Sequence, residues 1–164
     1  TWAIGTEETR PMPTREYVCD LEAPLERVWA FYDDIGSLFT LTPPEVNARL
    51  EGEPVPMQVG VVYHLVLKRF GVTIRWDAEI VACEPPRFFR DRQVEGKGPF
   101  QAWTHAHSFE PLPNDRTRMT DRVEYEVPFG PFGRIADLLF VRRELDKMFA
   151  YRHKITRQNV ENKS

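Results

Sequence analysis

The chain has 164 residues, 41% of them hydrophobic and 29% charged, with a formal net charge of −3. That length and balance suit one globular domain with its own core, and the absence of a basic excess argues against nucleic acid as a partner. No apolar run reaches the roughly 18 residues of a membrane span, and the first residues lack a basic region followed by an apolar one, so the expected location is cytoplasmic.

Residues 1–14 mix charge with Pro11 and Pro13 and read as a flexible arm, with Trp2 its one candidate anchor. The single domain is expected over 15–160. Arg15 to Glu22 alternates, placing Tyr17, Cys19 and Leu21 on one face of a first strand. Pro24 suits the first turn of a helix that carries Leu25, Val28, Trp29 and Tyr32 at helical spacing, and Gly36 ends it. Trp29, Phe31 and Tyr32 are expected as core contacts. A second short helix over Ser37 to Thr42 is stopped by Pro43-Pro44. Cys19 and Cys83 form no CxxC pair and read as reduced, packed thiols.

From Val46 to Val127 short strands alternate with turn residues at Gly52, Gly60, Gly71, Pro85-Pro86, Gly96 to Pro99 and Pro113-Asn114-Asp115, the pattern of an antiparallel meander. Ile74, Trp76, Ala78 and Ile80 oppose Arg75, Asp77 and Glu79, while Met119, Asp121, Val123 and Tyr125 oppose Thr120, Arg122 and Glu124. Val61 to Leu67 is apolar on both faces, as in a covered edge strand or a homodimer contact. After Pro128 to Gly133, a helix of roughly 40 Å is predicted over about 132–159, with Ile135, Leu138, Leu139, Leu145, Met148, Phe149 and Ile155 forming one apolar stripe.

The chemically informative stretch is Trp103-Thr-His-Ala-His-Ser-Phe109. As a strand it turns Trp103, His105, His107 and Phe109 to one side, an odd filling for a plain core and a natural lining for a pocket. A hairpin across Pro113-Asn114-Asp115 brings Asp121 and Tyr125 to the same face, and Asp121 beside His105 or His107 would make an acid/base or hydrogen-bonding pair. The alternative is an internal Asp–His–Tyr network serving only the fold. His-x-His with Asp121 could also hold a metal, but there is no HExxH and no paired cysteine motif, so no metal and no cofactor is expected. His64 is expected to point away, and His153 to interact with the helix dipole. Phe129 and Phe132 are either a gate at the pocket mouth or a staple for the helix start. Arg87, Arg90 and Arg92 read as a solvated face or as a site for an anionic group. No GxSxG elbow or phosphate-binding glycine loop is present.

The order strand, two short helices, about six antiparallel strands and one long helix, carried by Ala23-Pro-Leu-Glu-Arg-Val-Trp29, Trp103 to Phe109, Asp121 to Pro128 and Leu145 to Arg152, resembles the START-like (SRPBCC) superfamily. The resemblance implies an α+β helix-grip fold: a curved antiparallel sheet of about seven strands wrapped around a long C-terminal helix, enclosing a cavity for an apolar small molecule such as a lipid, quinone or polyketide-like compound. Trp76, Trp103, Tyr125, Leu138, Leu145, Met148 and Phe149 would form its walls, and His105, His107 and Asp121 would receive a polar end. Members of the superfamily include carriers, cyclases and dehydratases, so a His–Asp pair acting on a bound carbonyl compound, or a protein-interaction module, remain the alternatives, and enzymatic activity is left open.

Overall fold

The computed structural model describes residues 12–161. Trp2 and residues 1–11 of the expected arm lie outside the described residues. Seven strands form one antiparallel sheet in the order β1-β7-β6-β5-β4-β3-β2. They are β1 (Thr14–Leu21), β2 (Asn47–Glu51), β3 (Val62–Arg69), β4 (Val72–Glu84), β5 (Phe88–Gln93), β6 (Ala102–Leu112) and β7 (Arg116–Glu126). The helices are α1 (Leu25–Asp33), α2 (Gly36–Thr40), α3 (Gly130–Ala136) and α4 (Arg142–Val160), with a π-helical turn at Asp137–Val141 joining the last two. This is the expected α+β helix-grip architecture.

Local chemistry explains most boundaries. Pro24 precedes α1, and its carbonyl accepts the amides of Arg27 and Val28, so the ring sits where no helical N–H is needed. Gly36 starts α2 and does not end α1: its amide donates to Asp34 Oδ1 at 2.8 Å, and α1 has already closed at Asp33. The β3–β4 hairpin turns through Phe70 and Gly71, both at positive φ, as a two-residue loop following the right-handed strand twist requires. At the β6–β7 turn the positive-φ positions fall on Asn114 and Asp115, residue types that tolerate that conformation. A register shift between Ile80 and Ala82 opposite β5 marks a bulge, the device by which a long strand bends and a sheet curls.

The expected facing holds in β1, β4, β6 and β7. Cys19, Leu21, Ile80, Trp103, Phe109, Met119, Val123 and Tyr125 are all buried on the concave side. Pro13 and Thr14 already belong to the sheet, since the Tyr125 amide donates to the Pro13 carbonyl. The reading of Val61 to Leu67 as an edge is corrected: β3 lies between β2 and β4. Its outward Val66 is buried between cross-strand neighbours Arg49 and Arg75, whose long aliphatic stems suit covering such a site.

α4 does not lie centrally in the sheet. Its Leu145 and Phe149 join Trp103, Val123 and Tyr125 in one core, with the Phe149 ring stacked on Tyr17 of β1 at 4.4 Å. Trp29 of α1 packs edge-on against Phe89 and Phe109 in a second core, as expected. The helix therefore fills the β1–β7–β6 side, and the β2–β5 side is left to line a hollow.

The first part of the predicted apolar stripe is corrected. Leu138 and Leu139 are 64% and 61% exposed, and Ile135 is exposed as well, while Asp137 is buried. A π-helical turn holds one more residue than an α-turn, so the phase of everything N-terminal to it is rotated by about 100° relative to α4. Asp137 uses the inward position: its carboxylate accepts from Tyr125 Oη at 2.6 Å and from Arg142 Nε at 3.0 Å.

Candidate ligand cavity and its histidine–carboxylate floor

The hollow has a volume of about 770 Å³. Ile35, Leu38 and Leu41 of the α1–α2 region, Tyr63, Leu65 and Leu67 of β3, and Ile74, Trp76, Ala78 and Ile80 of β4 line it, with Val141, Leu145 and Met148 on the helical side. Near one rim Arg69 of β3 bonds Glu144 of α4 at 2.9 Å, and Lys147 reaches the same carboxylate at 3.0 Å. Asp33, Asp34, Glu45 and Arg152 also line the hollow, and Asp91, His105 and His107 form a separate polar floor.

Sheet register builds that floor. Asp91 on β5 is the partner of His105 on β6, and His107 is the partner of Phe89 on β5 and Asp121 on β7. The His107 ring stacks on Phe89 at 3.9 Å and lies 3.8 Å from the His105 ring, whose other side meets the edge of Phe149. Both imidazoles are almost completely buried.

Asp121 lies behind them, beneath α4. His105 Nε2 is 2.9 Å from Asp121 Oδ1, and His153 Nε2 of α4 is 2.8 Å from Oδ2. His107 Nδ1 lies 3.0 Å from Oδ1 as an ion-pair contact without hydrogen-bond alignment. The opposite nitrogens, His105 Nδ1 and His107 Nε2, stand 3.9 and 3.6 Å from Asp91 Oδ2, too far for hydrogen bonds.

The environment drives the two histidines apart. Burial, reinforced by the neighbouring His107, pushes the His105 pKa down. Burial acts on His107 in the same direction, yet the Asp121 and Asp91 carboxylates outweigh it and hold its pKa above the ordinary value. Burial alone would raise the Asp121 pKa; its contacts with His105, His107 and His153 hold it well below the usual carboxylate range.

Of the residues expected around a ligand, the structure brings Trp76, Trp103, His105, His107, Leu145 and Met148 to the cavity wall. Tyr125 and Asp121 are not on it, because they lie on the part of the concave face that α4 covers, and neither is Phe149, which packs from α4 onto Tyr17 of β1. Leu138 is not on it either, because the π-helical turn swings it to the outside. Phe129 is the N-cap of α3 and Phe132 lies in its first turn; each is 80% exposed, and neither lines the cavity. His64 points away as expected and pairs with Asp77 on the convex face. His153 serves Asp121 and not the helix dipole. Arg90 and Arg92 are on the solvated face, with Arg92 paired to Glu79. Cys19 and Cys83 are free thiols, and Arg157 donates to Cys19 Sγ.

Asp91 was the residue that sequence reasoning missed. It sits in the charged run Arg90-Asp-Arg92, which reads as a solvent face; only counting back from His105 across the β5–β6 pairing turns it inward.

The curved sheet, the long gripping helix and the hollow between them define a helix-grip protein of the START-like class. Residues 21–154 match the model of the polyketide cyclase/dehydrase and lipid transport family, and the chain belongs to that family. No curated protein sequence matches it. Among solved structures it is similar to protein CV1439 from Chromobacterium violaceum, with a TM-score of 0.71 and 16% identity over 92% of this chain and 98% of that one. It is also similar to the ZhuI aromatase/cyclase from Streptomyces sp. R1128, with a TM-score of 0.64 and 17% identity over 90% and 95%. Norcoclaurine synthase from Thalictrum flavum, solved in complex with dopamine and hydroxybenzaldehyde, gives a TM-score of 0.65 and 16% identity over 93% and 89%. No helix among the described residues is long and apolar enough to cross a membrane.

Proposed function

We propose that the cavity binds an apolar, multi-ring or acyl small molecule whose oxygen-bearing end meets Asp91, His105 and His107. One observation carries this reading: a hollow of about 770 Å³ with a largely apolar wall on which Asp91, His105 and His107 come together at one place. Its size falls within the roughly 300–1,000 Å³ that drug-sized ligands occupy, and the asymmetry of its lining orients a ligand that has one polar end. The family's lipid-transport and cyclase descriptions, and the aromatic compounds held by norcoclaurine synthase, point to the same ligand class.

Mass spectrometry of solvent extracts of the purified protein should release a compound of this kind, and thermal-shift titration across an apolar library should find ligands. Ala78→Trp puts an indole where Ala78 lines the hollow and should abolish those shifts while the protein stays folded. Shifts that persist at full size in Ala78→Trp would place binding elsewhere.

A second reading, proton transfer on a bound carbonyl compound, is favoured by the His105–Asp121 pair, in which the carboxylate engages Nε2 and leaves Nδ1 toward the hollow. Turnover of a cyclisable substrate that survives both His105→Gln and His107→Gln would remove it.

A further inference from the structure

We propose that Asp91, His105 and His107 form a binding site for a divalent first-row transition-metal ion, with its open coordination positions facing the cavity. The site goes beyond the ligand-binding reading and stands without it, because metal binding needs no organic ligand.

Three observations on residues of the paired strands β5 and β6 carry it. The donor atoms of the three residues, one from each, all lie within 4.8 Å of one another. The approaches to Asp91 Oδ2, 3.6 and 3.9 Å, compare with about 3.3–3.4 Å between donors around a tetrahedral ion with bonds of roughly 2.0–2.1 Å. A shift of a few tenths of an ångström closes the two gaps to Asp91, and the two imidazole donors, within 4.8 Å of each other, close the third by ring rotation. None of these three donor atoms bonds another, although both imidazoles are buried and the Asp91 side chain is only 19% exposed.

The outer layer is built as well. Metal-binding imidazoles characteristically present their second nitrogen to a carboxylate, which fixes the tautomer and the ring orientation. Asp121 does this for His105, whose Nε2 it engages at 2.9 Å; it also lies 3.0 Å from His107 Nδ1 without hydrogen-bond alignment, and its other oxygen is held by His153. The nitrogens left over, His105 Nδ1 and His107 Nε2, are the two directed toward Asp91. The Asp121 bond thus leaves His105 Nδ1 on the side of Asp91, where stacking on Phe89 holds the His107 ring beside it.

The sequence suggested Asp121 as the third ligand if any metal were held. The structure reverses the two carboxylates: Asp121 is walled off beneath α4, and Asp91 is the one on the cavity side. Two imidazoles and one carboxylate, with no thiolate, suit Fe²⁺, Co²⁺ or Zn²⁺ better than Ca²⁺ or Mg²⁺, which prefer all-oxygen shells.

The test uses the untagged chain after chelator treatment, titrated with CoCl₂ while the visible d–d absorption is followed, and with ZnCl₂ by calorimetry. The expected result is one ion per chain at micromolar or tighter affinity. Asp91→Asn should weaken it at least tenfold. Because Asp91 makes no hydrogen bond to either histidine, circular dichroism of that variant should match the parent. His64→Ala, which removes the exposed His64–Asp77 pair, should change nothing. X-ray absorption of the cobalt-loaded parent should show two imidazoles with oxygen and no sulfur, and it supplies the answer should Asp91→Asn fold poorly. No binding below millimolar concentration, a change of less than tenfold in Asp91→Asn, loss on His64→Ala, or a sulfur-containing shell would each overturn the proposal.

Discussion

Replacing Asp121 by Asn tests whether the buried network holds the sheet to α4. The substitution preserves shape and removes the charge. The carboxylate lies 2.9 Å from His105 Nε2, 2.8 Å from His153 Nε2 and 3.0 Å from His107 Nδ1, and its side chain is 3% exposed. Asn offers one acceptor oxygen, so its amide nitrogen must face an imidazole N–H on one side. That exchanges a charge-assisted hydrogen bond worth about 1.5–3 kcal/mol for an unsatisfied pair costing about 1–3 kcal/mol. The expected loss is about 3–5 kcal/mol, in line with breaking a buried ion pair from one side. For a chain of this size it corresponds to a fall in Tm of about 6–20 °C. Urea unfolding followed by circular dichroism, with calorimetry alongside, measures it. A double-mutant cycle with His153→Gln should give a coupling energy of about 0.5–3 kcal/mol, since the two groups share one bond. A loss below about 1 kcal/mol for Asp121→Asn, or a cycle that closes additively, would refute the assignment of Asp121 as the centre of the network.

Leu138→Ala and Leu145→Ala separate the phase imposed by the π-helical turn from that of an uninterrupted helix. Exposed Leu138 should cost no more than about 0.5 kcal/mol and buried Leu145 about 2–5 kcal/mol; equal losses would restore the continuous stripe. Gly98→Ala drives a Cβ into Gln93 Oε1, and Gln93 is pinned by its bonds to both the carbonyl and the amide of Phe100. Its expected cost is about 1–3 kcal/mol. Tryptophan emission should shift with it, because Phe100 packs on Trp76 and Trp103; unchanged emission would show that the loop absorbs the methyl group elsewhere.

How far the site was legible follows from the kind of regularity each residue obeys. Strand faces follow from the sequence because side chains alternate strictly, so the inward facing of Trp76, His105, His107 and Asp121 needed no coordinates. The hairpin residues Pro113-Asn114-Asp115 then bring Asp121 beside His105 or His107, and the strand register in the structure pairs it with His107. Asp91 was hidden because alternation within Phe88 to Gln93 mixes charge and aromatic residues on both faces, and only its register against His105 resolves the choice. His153 was hidden because a single imidazole on an amphipathic helix carries no sign of its partner.

The α+β order, the two short helices, the strand phases and the histidine-bearing wall were determined by the sequence alone, because they depend on local periodicity, on proline and on turn chemistry. Tertiary structure decided where α4 lies across the sheet, and with it which inward residues face a hollow and which are sealed beneath the helix. It also decided the helical phase before Arg142, through one extra residue in a turn that periodicity cannot register, and the choice between Asp91 and Asp121 as the carboxylate on the cavity side. Those outcomes depend on packing between segments distant in the chain, and neither a period of 2 nor one of 3.6 carries that information.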